Sequence, residues 1–429
     1  MVWWIIQQSQ RRRHPLPFMM EQRMSLVNVK LKWVKDRILD SVVARERYLR
    51  PMLHLLEHIS SDPRGYVPAY ELSRRHRQLS LANRLKVAIF LRRFPAIFRE
   101  SSAPGAGKRI PCFALTDDAL CLRRQELQIL HHVEMDLVDR LRRLLMLTTG
   151  RTLPLHTVDQ LRWDMGLQPD YHRTLVPRYP HFFDLVQPPG DERIWIKLVS
   201  WDDRLAVSEL QRAAREQHED GKCLAFPVRF TRGYGLKKKC MAWLQEWQTL
   251  SYTSPYSDAS GLDPRTDVSE KRIVGVFHEL LHLTLGKKTE RRNVSNLRKP
   301  LGLPQKFTKV FERHPGIFYI SQKLGTQTVV LKEAYCGGRD LLIKHPLVEI
   351  RERYVAMMRA RMPTTERRAP RKEMEMVGLR TRDTHTMDAD QDDNSGGHTS
   401  MEESSEICDF NYDSFLEDDF DEVIDAPFS

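Results

Sequence analysis

Three six-residue stretches share one pattern: RFPAIF (93–98), RYPHFF (178–183) and RHPGIF (313–318). Each reads Arg, then Phe, Tyr or His, then Pro, any residue, Ile or Phe, and Phe. A recurring segment marks a repeated supersecondary unit, so it limits the fold more than composition does. Proline disfavours helix at the residue before it, so each copy predicts the end of a helix and the start of an extended segment. The apolar side chains Ile97, Phe98, Phe182, Phe183, Ile317 and Phe318 read as core. The arginines Arg93, Arg178 and Arg313 have two readings, a reach to phosphate or a cap on the preceding helix.

The surroundings repeat as well. YVPAYEL and TLPLHTV precede the first two copies, with 27 residues from Pro68 to Pro95 and 26 from Pro154 to Pro180. Each reads as a helix start, because proline is tolerated in a first turn. A second amphipathic stretch follows, LANRLKVAIFLRR or DYHRTLVPR, and the third copy fills the two slots with TERRNVSNLRKPLGL and FTKVFERH. After every copy, two apolar runs flank a Gly-containing turn, the signature of a hairpin. The expected fold is α+β and mostly helical. It has three winged-helix-like helix–helix–hairpin modules near 62–118, 150–220 and 268–338, joined by the long helices DRILDSVVARERYLRPMLHLLEHI and DDALCLRRQELQILHHVEMDLVDRLRRLLML.

Charge is unevenly spread. Residues 383–429 hold 16 acids and no Lys or Arg, so the rest of the chain carries 68 − (57 − 16) = +27. A body that basic predicts a polyanionic partner, RNA or DNA before membrane. The polar segment 362–429, basic and then acidic, is expected to be a disordered tail. Residues 1–28 read as an organelle transit peptide, with three arginines and no acid before Glu21. The folded domain is then 29–361. Six scattered cysteines without a CxxC pair favour a reducing compartment.

Basic runs with interleaved aromatics nominate RNA contacts, since cations draw the backbone and rings stack on unpaired bases. They are Arg74, Arg75, Arg77, Arg92 and Arg93; Arg178; Arg229, Arg232, Tyr234, Lys237, Lys238 and Lys239; Lys287, Lys288, Arg291 and Arg292; and Arg313. A solvated face is the plain alternative for any single run. One motif suggests chemistry: HELLH at 278–282, two histidines four apart with a glutamate between, the zinc-peptidase spacing. No obvious third ligand follows, and Glu290 is left as a candidate. Ile273, Val274, Phe277, Leu280, Leu281 and Leu285 make an ordinary core stripe, with His278 and His282 on the other side with Lys271 and Gly275. The chain has no GxSxG, Walker A or GxGxxG sequence.

The stretches KDRILDSVVARERYLRPML, LRRFPAIF, RWDMGLQPDYHRTLVPRYPHFFDLV, LVSWDDRLAVSEL, GYGLKKKCMAWLQEWQ, SPYSDASGLDP, KRIVGVFHELLHLTLGKKTERRNV and RHPGIFYISQKLGTQTVVLKEAY run in order across residues 35–360. In that order the chain resembles the plant organelle RNA recognition (PORR) family. The resemblance makes HELL part of a common scaffold and leaves the second histidine outside the pattern. It implies a nuclear-encoded, non-enzymatic protein of the mitochondrion, with the chloroplast as alternative address. Its partner would be organellar RNA, group II introns whose splicing it promotes, with other splicing factors as further partners. No cofactor, membrane or small-molecule substrate is implied. The rival readings are a zinc metallohydrolase using His278, Glu279 and His282, and an interaction scaffold for RNA-processing proteins.

Overall fold

A computed structural model describes residues 33–74, 86–105, 108–216, 223–231, 234–235, 238–337 and 339–360. The leader 1–28 and the tail 362–429 lie outside the described residues. Helices α1 (Arg37–Arg45) and α2 (Leu49–Ser60) lead into strand β1 (Tyr66–Pro68), helices α3 (Ala69–Arg74) and α4 (Val87–Arg92) and the hairpin β2 (Phe98–Gly105) and β3 (Lys108–Leu115). After α5 (Asp117–His132) and α6 (Glu134–Met146), the order recurs as β4 (Thr152–Pro154), α7 (Leu155–Met165), α8 (Tyr171–Thr174), β5 (Phe183–Val186) and β6 (Trp195–Leu198). An insertion carries α9 (Glu209–Glu216) and α10 (Lys238–Thr249), and α11 (Asp267–Leu283) follows. The third unit has β7 (Lys288–Glu290), the 3-10 turn Arg291–Leu297, α12 (Val310–Arg313), β8 (Phe318–Ser321) and β9 (Thr328–Leu331). A two-stranded ladder of β10 (Tyr335–Cys336) and β11 (Asp340–Leu341) precedes α13 (Pro346–Arg359).

The repeated hexapeptide makes the same turn three times. The carbonyl of the residue before proline accepts two N–H groups: Phe94 from Ile97 and Phe98, Tyr179 from Phe182 and Phe183, His314 from Ile317 and Phe318, all at 2.9–3.0 Å. One residue of each turn then closes the hairpin, since Ile97, Phe182 and Ile317 accept from Thr116, Val199 and Lys332 at 2.9–3.0 Å. The last Phe sits opposite a leucine each time, as Phe98–Leu115, Phe183–Leu198 and Phe318–Leu331. All six of these side chains are buried. Side chains alternate across a strand, so this register points the same face of every hairpin inward.

Each unit also has a short leading strand, and in the first two it ends on the proline just before the expected helix start. β1, β4 and β7 pair with the last strand of their hairpins, in sheet orders β1-β3-β2, β4-β6-β5 and β7-β9-β8, all antiparallel. Pro68 and Pro154 thus end edge strands, where a missing N–H does no harm, and Pro154 is the N-cap of α7. The two long connecting helices are each broken. The first splits so that Pro51 falls in the first turn of α2, and the second divides at Val133. Phe182 differs from its counterparts: it is half-buried, with the Arg142 guanidinium 3.9 Å above its ring.

Two apolar cores result. The smaller joins α2, α4, the first hairpin and α5, and Ile350, Tyr354, Val355 and Met358 of α13 complete it. The larger runs through the second and third units and α11 and takes in Leu347 and Val348 from the start of α13. No helix among the described residues is long and apolar enough to cross a membrane.

The variable position of the hexapeptide is Ala96, His181 and Gly316. Glycine is needed in the third because the insertion packs there: Arg229 N donates to the Gly316 carbonyl at 2.8 Å. A Cβ on Gly316 would overlap Val228 Cγ1 and lie 3.0 Å from Phe230 Cζ. Gly316→Ala is expected to lower stability by about 1–3 kcal/mol in urea unfolding. Gly261→Ala, which meets nothing within 4 Å, serves as the neutral control.

Candidate nucleic-acid interface

Most of the nominated cations already have a partner within the chain, although Arg92, Arg178 and Arg292 stay exposed while paired. Arg92 chelates Glu100 of β2 at 2.6 and 2.8 Å. Arg178 donates to the Thr174 carbonyl at the end of α8 at 2.8 Å and pairs with Glu134 at 2.9 Å, so it caps the helix before it. Arg313 pairs with Glu270 at 2.8 Å, Arg229 donates to the Tyr335 carbonyl, and Arg291 reaches Glu312, Gln327 and Thr308. Arg292 pairs with Glu290. Lys288 meets Glu46 at 2.9 Å in the interior, and Lys287 donates to the His282 carbonyl. Tyr234 packs against Phe230, and burial raises its hydroxyl to about 12. Arg75, Arg77, Arg232 and Lys237 lie outside the described residues, as does the side chain of Lys239.

The first unit keeps the most open basic face. Arg74 ends α3, exposed, with its guanidinium 5.9 Å over the half-exposed Tyr70 ring. On α4, Lys86, Ile89 and Arg92 recur every three residues and are all exposed, while Val87, Phe90 and Leu91 face the core. Arg93 is half-buried beside them and Arg99 is exposed on β2. The one acid of α3, Glu71, is held by Arg64 at 3.0 Å. Exposed Tyr70 and Ile89, with guanidinium and ammonium groups on the same two helices, suit a nucleic-acid strand. Elsewhere Lys238 is exposed at the start of α10. The third unit adds exposed Lys299 and Lys306. Charge runs drew attention away from Lys86, Ile89 and Tyr70; the i, i+3 spacing of Lys86, Ile89 and Arg92 is the signal that finds them.

Helix α11 has no solvated side between Lys271 and Leu281, where every residue is buried. Lys271, read as facing away from the core, donates instead to the carbonyls of Leu224, Gln248 and Leu250 at 2.6–2.8 Å and fastens the insertion. Glu279 is fully enclosed. Its Oε1 accepts from Arg143 and from Tyr256 at 2.6 Å, and its Oε2 from the Glu209 N–H at 2.7 Å. A general base in a zinc peptidase needs a carboxylate free to take a proton from water. With both oxygens so held, Glu279 has no such freedom, and the hydrolase reading loses its base. His278 and His282 point elsewhere, to Glu333 Oε1 at 2.6 and 3.0 Å. Glu290, the ligand considered from sequence, lies in β7 beside Arg292.

A half-buried carboxylate lies where α7 meets β7. Asp164 Oδ2 accepts from Thr289 at 2.6 Å, and burial raises its pKa from 3.8 to about 6 despite Arg351 and Lys288 nearby.

The chain belongs to the plant organelle RNA recognition family, whose domain matches residues 34–362. It is 35% identical over 344 residues, covering 79% of this chain and 87% of the relative, to Protein WHAT'S THIS FACTOR 9, mitochondrial, of Arabidopsis thaliana. It is 31% identical over 360 residues to Protein WHAT'S THIS FACTOR 1 homolog, chloroplastic, of the same plant, covering 81% and 67%. Protein ROOT PRIMORDIUM DEFECTIVE 1 of Arabidopsis thaliana matches at 30% over 341 residues, covering 76% and 81%. On the higher identity to the mitochondrial relative than to the chloroplast one, the protein is mitochondrial. No solved structure matches the chain.

Glu279 and Asp164 respond differently to substitution. Glu279→Ala leaves Arg143 unpaired in the interior and is expected to cost about 3–5 kcal/mol, read from the urea midpoint. For Asp164, the folded state binds more protons than the unfolded one between pH 3.8 and about 6. Its burial cost is therefore absent below that window and complete above it. Asp164→Asn should stabilise the protein relative to wild type at pH 7, and the difference should shrink towards pH 4 in thermal melts.

Proposed function

We propose that the protein binds organellar RNA in the mitochondrion and promotes splicing of group II introns by favouring their active fold. The observation that carries this reading is the open basic face of α3 and α4, with Tyr70 and Ile89 among Arg74, Lys86 and Arg92. Family membership supports it independently.

Each unit runs helix, strand, two helices, hairpin, with the first strand on the hairpin's last strand. We read these as winged-helix-like modules, with α4 in the position of the helix that meets nucleic acid. Three such modules in one body would span an extended or junctional RNA segment. The acidic segment 383–429 is proposed as a disordered tail.

No active site is required by this mechanism. A protein that binds the splicing-competent form of an intron more tightly than its misfolded forms shifts their equilibrium by that difference in affinity. The enclosed Glu279 accords with a non-enzymatic role.

Immunoprecipitation of the tagged protein from plant mitochondria, followed by sequencing of bound RNA, tests the reading. One or two intron-containing transcripts should be strongly enriched, and no enrichment over a mock control would overturn it. On an enriched segment, replacing Arg74 and Lys86 together by Gln should weaken binding. It should also flatten the slope of log Kd against log salt by about 0.7 for each phosphate no longer neutralised.

A further inference from the structure

His278 and His282 stand one turn apart on α11, with ring centroids 4.6 Å apart. Glu333 comes from the 3-10 turn Lys332–Ala334 that leaves β9, more than fifty residues later. Its Oε1 lies 2.6 Å from His278 Nε2 and 3.0 Å from His282 Nε2. The three donor atoms are all within 4.8 Å of one another. This is the only such trio of His, Cys, Asp and Glu among the described residues.

The other oxygen of Glu333 is buried and meets no hydrogen-bond donor. A carboxylate oxygen withdrawn from water without a partner is unusual and costly. The two imidazoles converge on one oxygen and leave the second with lone pairs directed at nothing.

We propose that His278, His282 and Glu333 form a structural binding site for a divalent zinc-class cation, independent of RNA binding. Two imidazole nitrogens and a carboxylate oxygen are a donor set that suits zinc, and the i, i+4 spacing places both rings on one side of a helix. Metal–ligand bonds of about 2.0–2.1 Å in a tetrahedron set donors about 3.4 Å apart. Loading therefore requires the carboxylate to withdraw from His278 by less than about 1 Å and the two ring nitrogens, within 4.8 Å of each other, to draw together by side-chain rotation. Glu333 Oε2 or a water would take the fourth position.

The surroundings argue for a pin rather than a catalyst. Phe226 closes over the His278 ring at 5.2 Å. Lys287, whose Nζ donates to the His282 carbonyl at 2.6 Å, is the nearby cation that opposes a metal. Glu279 faces Arg143 and Tyr256 on another side of the helix and supplies no base. Bound metal would fasten α11 to the exit of the third hairpin.

The test uses the full chain without an affinity tag, stripped with a chelator and titrated with Co2+ as the probe. One cobalt per chain with the intense visible d–d absorption of a four-coordinate site is expected. Zn2+ should displace it and raise the Tm, while Mg2+ should do neither. His282→Asn and Glu333→Gln should each lose the band and the zinc-dependent Tm shift. Having two variants covers the case in which one fails to fold. Absence of the band from the wild-type chain, or its persistence unchanged in a folded variant, would overturn the site. The trio would then be a hydrogen-bonded imidazole–carboxylate cluster only.

Discussion

A single carbonyl before each hexapeptide proline organises every one of the three units. Proline has no N–H and holds its own φ, so the carbonyl ahead of it is free to accept from the residues three and four positions on. That double acceptance ends the helix, turns the chain by a fixed amount and delivers phenylalanine to the same place in each hairpin. The Phe–Leu pair opposite then sets the register, and the register decides which residues become core. The leading edge strand can only add to a hairpin already aligned in this way.

The hexapeptide is legible in the amino-acid sequence because its interactions are local. Pattern and spacing suffice for the hairpins, the helix ends and five of the six core residues. The leading strands escape such a reading because three residues are too few to show a period of two, and because proline in YVP and TLP also suits a helix start. The breaks in the connecting helices are hidden for a similar reason, since their apolar positions continue across the gap. Lys271 misleads in another way. A lysine on a helix ordinarily marks the wet side, but here three carbonyls from the insertion replace water around its ammonium.

Charge is the least local of the signals and the hardest to read. Runs such as KKTERR count as exposed cations in a sequence, yet Lys288, Arg291 and Arg292 each meet a carboxylate from the same fold. The excess positive charge of the body is nonetheless real, and part of it is exposed on α3 and α4 as Arg74, Lys86 and Arg92. Sequence alone does not tell these cases apart, because Glu46 and Lys288 lie far apart in the chain and meet only after the cores have formed. His278, His282 and Glu333 show the converse: a five-residue motif is visible in the sequence, and its third member waits on the topology.

The closing helix α13 lies across both cores, and its second half fills the floor of the first unit. The unit nearest the N-terminus is thus finished by residues nearest the end of the domain. Joining α13 to that unit closes a very long loop, whose entropy the contact has to overcome. A chain cut before Pro346 would expose the apolar floor under α2 and α4. The unit whose α3 and α4 carry the proposed RNA contacts is thus completed by the last helix of the domain.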